Sequence, residues 1–409
     1  MRILVQKFGG TSVANLECMK QVREKVQRAL RDGYKPVVVL SARSGETNRL
    51  LTLADEWSTD PDPAEVDALI ATGEQVSVAL FSMLLKDSGI KARSMAGFQV
   101  PITTSDAFGR ARIMDIDASR LRKELESHDV IVVAGFQGVT PEGRITTLGR
   151  GGSDTSAVAL AAALGSVECE IYTDVDGVYT TDPNLCSTAR KLDRVSYDEM
   201  LEMASMGAKV LQIRSVEFAK KYKVPVHVRS TFTDTPGTMV TQEDCEMEAV
   251  LVSGIAYDKD QARVTLRSVP DKPGVSAAIF GPLSQQGILV DMIVQNPSRD
   301  GVTDMTFTVP RKDLKKTLAL MEEIRARTGA QEVLHDTQVA KVSAIGVGMR
   351  NHSGVAAKAF AALHAENINI LMISTSEIKI TCLIEEKYTE LAVRTLHDAF
   401  GLNHDLGNA

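Results

Sequence analysis

Ile3-Leu4-Val5-Gln6-Lys7-Phe8-Gly9-Gly10-Thr11-Ser12, followed by an amphipathic pattern over Leu16–Arg31, decides the fold class. A short β-rich run, a glycine turn and a helix form one strand–turn–helix unit. The unit recurs. Pro36–Leu40, Val130–Ala134, Glu170–Thr173 and Val226–Val228 read as strands, and Ala64–Lys86, Ala118–Glu126, Ser156–Leu164 and Ser196–Met203 as helices. Alternation at this spacing predicts an α/β domain, a mainly parallel sheet between helical layers. Phe232–Cys245 carries Pro236, Gly237 and acidic residues and reads as a linker.

Beyond the linker the chain repeats itself. Gly274–Ile293 and Gly354–Ile373 align without gaps at a constant offset of 80, with eight identities in twenty positions. The identities include Gly274/Gly354, Phe280/Phe360, Leu283/Leu363 and Ile288/Ile368. Each copy reads as strand, turn, helix, strand. An 80-residue period is too long for a solenoid repeat and suits two tandem small α+β domains.

Composition narrows the function. The 409 residues carry 46 Lys and Arg against 53 Asp and Glu, a formal net charge of −7. A mildly acidic chain is a poor candidate for general nucleic-acid or anionic-membrane binding. Apolar residues at 44% and charged residues at 24% exclude global disorder. The five cysteines stand singly without a CxxC, which argues against a disulfide framework and a zinc knuckle. Met1–Gly10 lacks the apolar core of a secretory signal, Thr155–Val167 is too short to span a bilayer, and Pro273–Val290 is broken by polar residues. A cytoplasmic protein is expected.

Three glycine- or carboxylate-rich elements carry the chemistry. Lys7-Phe8-Gly9-Gly10-Thr11-Ser12 leaves a strand, so its backbone N–H groups can cradle a phosphate and Lys7 can neutralise charge on a transferring phosphoryl group. No GxxxxGK[ST], GxGxxG, HRD or DFG occurs. Gly149-Arg150-Gly151-Gly152-Ser153-Asp154-Thr155 opens directly onto a helix. The helix N-terminus attracts anions and Arg150 offers a fork for a carboxylate or phosphate. A simple cap by Ser153 or Asp154 explains one residue of this run but not three glycines beside an arginine. Tyr172-Thr173-Asp174-Val175-Asp176-Gly177 places carboxylates at a strand end, which suits Mg²⁺ or ribose hydroxyls. Position 12 of an EF-hand loop lacks its Glu, so calcium is not expected. Glu74 lies in a helical stretch, where a lone Glu is usually solvated. The seven histidines show no metal-ligand or triad spacing.

In this order, Lys7-Phe8-Gly9-Gly10-Thr11-Ser12, Thr72-Gly73-Glu74, Gly149-Arg150-Gly151-Gly152-Ser153-Asp154-Thr155 and Tyr172-Thr173-Asp174-Val175-Asp176-Gly177-Val178-Tyr179 resemble aspartate kinase, and the C-terminal repeat resembles its pair of ACT domains. At 409 residues the resemblance is to the monofunctional type, without a fused homoserine dehydrogenase. It implies an amino-acid-kinase fold followed by two α+β, ferredoxin-like ACT domains. Boundaries are expected at 1–231, a linker at 232–248, and ACT regions at 249–338 and 339–409, with the strand near 250–257 alternatively part of the second ACT fold.

The resemblance implies MgATP-dependent phosphorylation of the L-aspartate side-chain carboxylate to 4-phospho-L-aspartate, the entry step to lysine, threonine and methionine synthesis. Catalytic roles are implied for Lys7 and Asp154. Ser41, Thr47, Glu74, Arg150, Gly151, Gly152 and Ser153 match the substrate-binding positions. Lys7, Gly9, Gly10, Thr173, Asp174, Tyr179, Asp182 and Lys209 match the nucleotide site. Asp271, Gly274, Asp291, Gln295, Ser353, Gly354, Asn369 and Ile370 are the implied effector-binding positions, for lysine, threonine or both. No protein-held metal is implied, with Mg²⁺ carried mainly on the nucleotide phosphates, and ACT pairing implies a homo-oligomer. Departures occur at Ser41-Ala42-Arg43-Ser44-Gly45, at Asp182-Pro183-Asn184 and at Ile288-Leu289-Val290-Asp291. Another kinase of the same fold, or a non-catalytic amino-acid sensor, are the alternative readings. Phosphoryl transfer to a carboxylate fits the residues. Two anions must meet, so cations are needed at both ends, and an ionised carboxylate nucleophile needs no general base.

Overall fold

The computed structural model describes residues 1–207, 210–248, 250–296 and 301–404. They form two units. The first holds Met1–Tyr179, Lys191–Ser205 and residues 210–248, while Met206 and Gly207 belong to the second. The second holds Thr180–Arg190 and the described residues beyond Glu248.

The first unit is built on an eight-stranded sheet. In spatial order its strands are Arg194–Ser196, Thr238–Thr241, Val226–Ser230, Cys169–Thr173, Ile3–Phe8, Lys35–Leu40, Val130–Ala134 and Ala92–Met95. Neighbours run parallel except Val226–Ser230 against Thr238–Thr241. The expected linker therefore contains a strand. Thr238 and Val240 alternate inward along it, a period-2 pattern that Pro236 and Gly237 mask in the sequence.

The central strands are apolar on both faces because helices cover both. Leu16–Arg31 shows how one cover forms. Asn15 caps it by accepting from the Cys18 N–H at 3.0 Å, and Met19, Val22, Val26 and Ala29 turn one stripe onto the sheet. Each such buried side chain contributes about 1.5–3 kcal/mol of transfer free energy.

The helix expected over Ala64–Lys86 is two, Pro63–Ile70 and Thr72–Asp87. They break at Ala71, whose carbonyl accepts from Gln137 Nε2 at 2.9 Å. The stretch Pro63–Asp87 is long and apolar enough by composition to cross a membrane, and half of its most apolar window is buried in the unit. Sequence reading missed the helices Glu46–Trp57 and Ile213–Tyr222. It also missed a small second sheet of Ile113–Ile116, Ile102–Thr104, Gln137–Val139 and Ile145–Thr147, whose strands of three or four residues are too short to show a period.

Three loops leave the sheet at adjacent strand ends. The Gly9 N–H donates to the Tyr172 carbonyl at 3.2 Å, that of Ser41 to Phe8 at 3.2 Å, and that of Gly135 to Leu40 at 3.0 Å. This edge carries the site described below.

The second unit contains a six-stranded antiparallel sheet, ordered Ile293–Gln295, Val302–Pro310, Gly254–Pro270, Glu332–Ile345, Lys379–Glu385 and Ile370–Thr375. The two sequence copies share it. Gln261–Pro270 pairs with Val302–Pro310, and Gly254–Asp258 pairs with Lys341–Ile345, with a register shift between. Helices Val275–Gln285 and Leu314–Thr328 cover one core, and Val355–Ala365 and Thr389–Ala399 the other. The helices Val275–Gln285 and Val355–Ala365 lie at the 80-residue offset read from the sequence.

Candidate active site

Lys7 lies in the last turn of the pleat of Ile3–Phe8, and its Nζ is 2.6 Å from Asp154 Oδ1, with both side chains largely buried. Asp154 sits in the first turn of the helix Gly152–Leu164. That helix is apolar all round, which drives it into the centre of the unit and fixes its N-terminus against the sheet edge. Gly151 enters it with φ 70°, and a Cβ there would lie 2.6 Å from Gln212 Cγ, so only glycine fits. Gln212 Nε2 donates to the Arg150 carbonyl, and Arg214 donates to the Leu148 and Ala111 carbonyls at 2.6 and 2.9 Å. The Arg150 turn is thereby held from its back.

A cavity of about 630 Å³ opens in front of this turn. Lys7, Asp154 and every proposed substrate-binding position line it: Ser41, Thr47, Glu74, Arg150, Gly151, Gly152 and Ser153. Arg150 is exposed and its guanidinium has no ion-pair partner among the described residues. Gly10 serves packing. A Cβ on it would meet the Ala42 carbonyl at 2.8 Å, so the first and second loops touch backbone to backbone.

Glu74 is not the solvated helical Glu that its sequence context suggests. It is 3% exposed, and Gly73 lets its helix approach Ala42. Its Oε1 accepts the Ala42 N–H at 3.0 Å, while Oε2 has no partner. Burial raises its pKa from the usual 4.5 to about 7, outweighing the Ala42 hydrogen bond that lowers it. A buried carboxylate oxygen without a partner is a seat for a cation.

The nucleotide positions are less gathered. Gly9 and Thr173 lie at neighbouring strand ends, and the Thr173 hydroxyl donates to Asp174 Oδ1 at 3.1 Å. The Tyr179 hydroxyl donates to Asp176 Oδ1 at 2.8 Å. Asp182 belongs to the second unit, where its carboxylate accepts from the Tyr257 hydroxyl and from Asn184. Lys209 lies outside the described residues.

Of the effector positions, Gly274 and Gly354 begin the two related helices with φ 91° and 99°. Asp271, Gln295, Ser353 and Asn369 are exposed and Ile370 is half-buried. The exposed Asp291 pairs with the buried Lys341 at 2.5 Å.

Among the described residues, Glu168, Glu170 and His227 come close enough to share a metal ion. Glu170, however, already accepts from Gln6 Nε2, the Tyr172 hydroxyl and Arg229 at 2.7, 3.2 and 2.6 Å. With its oxygens taken by three donors, this cluster is a closed polar network.

Profiles of known families agree with the architecture. The amino acid kinase family matches residues 2–230, and ACT domains match 264–328 and 342–400. An aspartate kinase of Stutzerimonas stutzeri is 55% identical over all of this chain and 99% of its own length. An aspartokinase of Pseudomonas aeruginosa is 55% identical over 98% of each. The chain belongs to the aspartate kinase family. It is an enzyme, a phosphotransferase. Aspartokinase III of E. coli, solved in complex with aspartate and ADP, superposes with a TM-score of 0.81 at 29% identity over 97% of this chain and 99% of that one. The same enzyme in complex with lysine and aspartate gives 0.78.

Several residues of this aspartate kinase site were invisible in the sequence. Phe136 lines the cavity with φ 70°, a conformation costly for a non-glycine residue, and its N–H donates to Ser156 Oγ at 3.0 Å. Its only signal is the flanking Gly135 and Gly138. Asp67 carries no signal, since a single polar residue in a helical stretch reads as solvated, and Gln212 and Arg214 fall where the sequence pattern shows no element.

Proposed function

We propose that the chain transfers the terminal phosphoryl group of ATP to the side-chain carboxylate of L-aspartate, giving 4-phospho-L-aspartate and ADP. The observation that carries this is the single cavity that puts the unpartnered Glu74 oxygen, the Arg150 guanidinium and the Lys7–Asp154 pair around one helix N-terminus. That charge pattern fits an amino acid with a second carboxylate. Glu74 takes the α-ammonium and Arg150 a carboxylate, with Ser41, Thr47, Gly151, Gly152 and Ser153 completing the seat.

A side-chain carboxylate oxygen attacks the γ-phosphorus as the bond to the β-phosphate oxygen breaks. No proton moves, because the nucleophile is ionised at neutral pH. Lys7 neutralises the charge growing on the phosphoryl oxygens, and Asp154 holds its ammonium in place at 2.6 Å. Gly9, Gly10, Thr173, Asp174, Tyr179, Asp182 and Lys209 form the nucleotide site in this reading. Mg²⁺ comes mainly on the ATP phosphates in this reading.

The catalytic domain is assigned to 1–231 together with the strand Thr238–Thr241 of its sheet, and the ACT regions to 249–338 and 339–409, with the strand Gly254–Asp258 paired to the second of them. The latter bind lysine, threonine or both at Asp271, Gly274, Asp291, Gln295, Ser353, Gly354, Asn369 and Ile370, and pair between copies of the chain in a cytoplasmic homo-oligomer. The known E. coli complex with lysine and aspartate supports an amino-acid effector. Incubation with MgATP and each amino acid in turn, trapping acyl phosphate with hydroxylamine, tests the activity. A hydroxamate with aspartate alone supports it. Hydroxamate with glutamate but not aspartate refutes it.

A further inference from the structure

Asp67 is a buried carboxylate without a cation. It lies on the helix Pro63–Ile70, is 0% exposed and borders the substrate cavity. Among the described residues it forms no ion pair. Burying an unpaired carboxylate is expensive unless hydrogen bonds satisfy it, and here they do. Oδ1 accepts from Gly109 N at 3.0 Å and Thr147 Oγ1 at 2.7 Å, and Oδ2 from Gly109 N at 2.9 Å and Thr147 N at 2.7 Å. A neutral side chain could not accept all of these.

The two residues it grips lie on either side of the Arg150 turn. Thr147 ends the strand Ile145–Thr147, three residues before Arg150. Gly109 belongs to the segment whose Ala111 N–H donates to the Thr147 carbonyl at 2.9 Å. Gly149, with φ 79°, lies directly against it, since a Cβ on Gly149 would stand 2.9 Å from the Gly109 carbonyl oxygen. The Gly109 backbone is thus the wall on which the Arg150 turn rests, and Asp67 ties that wall to the strand feeding the turn.

We propose that Asp67 is a positioning residue for Arg150. It acts through Gly109 and Thr147 to hold the turn that presents the guanidinium to the aspartate carboxylate. The proposal rests on the reading of Arg150 as the carboxylate clamp. Asp67 is fully buried with its oxygens taken by Gly109 and Thr147, so its effect on the guanidinium runs through the backbone.

The test uses the full chain. Asp67→Asn keeps the shape but turns an NH₂ toward an N–H donor, leaving one contact unmade. Thr147→Val removes a single hydroxyl bond, and Thr147→Ser retains it. Misplacement of a clamp by about 1 Å can cost on the order of 10²-fold. The expected result for Asp67→Asn is a KM for aspartate raised about tenfold or more, with KM for ATP within about twofold of wild type. Thr147→Val shifts the same constant in the same direction, Thr147→Ser restores it, and the Asp67→Asn/Thr147→Val double variant is less than additive. A merely structural role would lower the melting temperature and the active fraction and leave both KM values alone, which overturns the proposal. So does a parallel rise in KM for ATP. Should Asp67→Asn fail to fold, the Thr147 pair decides by the same readout. Arg150→Ala run alongside separates the two claims. Unchanged KM for aspartate in Arg150→Ala refutes the clamp and the proposal with it. A rise in Arg150→Ala without one in the Asp67 and Thr147 variants refutes the positioning role alone.

Discussion

Replacing Glu74 by Gln should weaken substrate binding and strengthen the fold, and the strengthening should depend on pH in a calculable way. The carboxyl group is 3% exposed, and burial raises its pKa from 4.5 to about 7. Between those values the folded chain holds a proton that the unfolded chain has lost, so stability falls as pH rises through this window. One pKa unit is about 1.36 kcal/mol, so a shift of about 2.5 units costs about 3 kcal/mol once pH exceeds 7. At pH 5 the same linkage costs about 0.8 kcal/mol, because the group is nearly protonated in the fold and only partly ionised outside it. Gln carries no charge at any pH and escapes this cost. Urea or thermal unfolding of ligand-free wild type and Glu74→Gln at pH 5 and pH 8 measures it. The variant's advantage should grow by roughly 2–3 kcal/mol between them, or about 5–10 °C in Tm for a unit of this size. Saturating aspartate at pH 8 should raise the wild-type Tm and leave that of the variant nearly unchanged, and wild-type KM for aspartate should fall as pH rises toward 8. An equal stability difference at both pH values would refute the buried ionisation, and equal stabilisation of both proteins by aspartate would refute the ammonium contact.

Lys7→Ala should lower kcat on the order of 10²-fold or more with an unchanged circular dichroism spectrum, since one preorganised charge is removed from a phosphoryl site; a kcat near wild type would remove Lys7 from the mechanism. Arg150→Ala should raise KM for aspartate and leave that for ATP nearly unchanged in steady-state kinetics, and the reverse pattern would sink the clamp. His397 is fully buried in the second unit, its Nε2 2.9 Å from the Thr180 hydroxyl, and desolvation lowers its pKa below 6.5. Its contribution is therefore present above pH 6.5 and lost as pH falls through the lowered value, so His397→Gln should flatten the acid side of the unfolding profile. Lysine and threonine, added singly and together, should shift the aspartate or ATP affinity by about 5–150-fold, the range of ordinary allosteric coupling; no shift and no heat of binding with any combination would end the regulatory reading.

The parts of this protein that were legible in its sequence are those where one local rule decides. Leu16–Arg31 was read to its exact ends because an Asn cap, an apolar stripe and terminal arginines agree. The Gly149–Asp154 turn was legible because glycines beside an arginine at a helix start have few other uses. Its helical context alone makes Glu74 look solvated, and only the family resemblance puts it at the substrate. Its role depends on Ala42, brought alongside by the sheet, and no local pattern encodes that neighbour. Asp67 failed for the same reason, since Gly109 and Thr147 lie about 40 and 80 residues away along the chain. The helix break at Ala71 was hidden because its cause, Gln137, is a distant side chain. Long-range hydrogen bonds to backbone groups fix this site, and they leave no period to read.

The site combines two kinds of carboxylate for a physical reason. Asp154 is ion-paired with the Lys7 ammonium, and both oxygens of Asp67 accept from N–H and O–H donors. Glu74 has one oxygen engaged and one idle, which costs stability in the empty enzyme. In the proposed reading an aspartate molecule would supply the missing ammonium and return part of that cost as binding free energy. The idle oxygen also discriminates. A ligand with a carboxylate for Arg150 but no amine leaves Glu74 unpaired, and that penalty rejects simple diacids without any steric wall. Succinate matches aspartate in length and lacks only the amine, so its affinity relative to aspartate isolates the Glu74 contribution. Above pH 7 the gap should be wide in wild type and should shrink in Glu74→Gln. A gap that survives the substitution intact would place amine recognition on another residue.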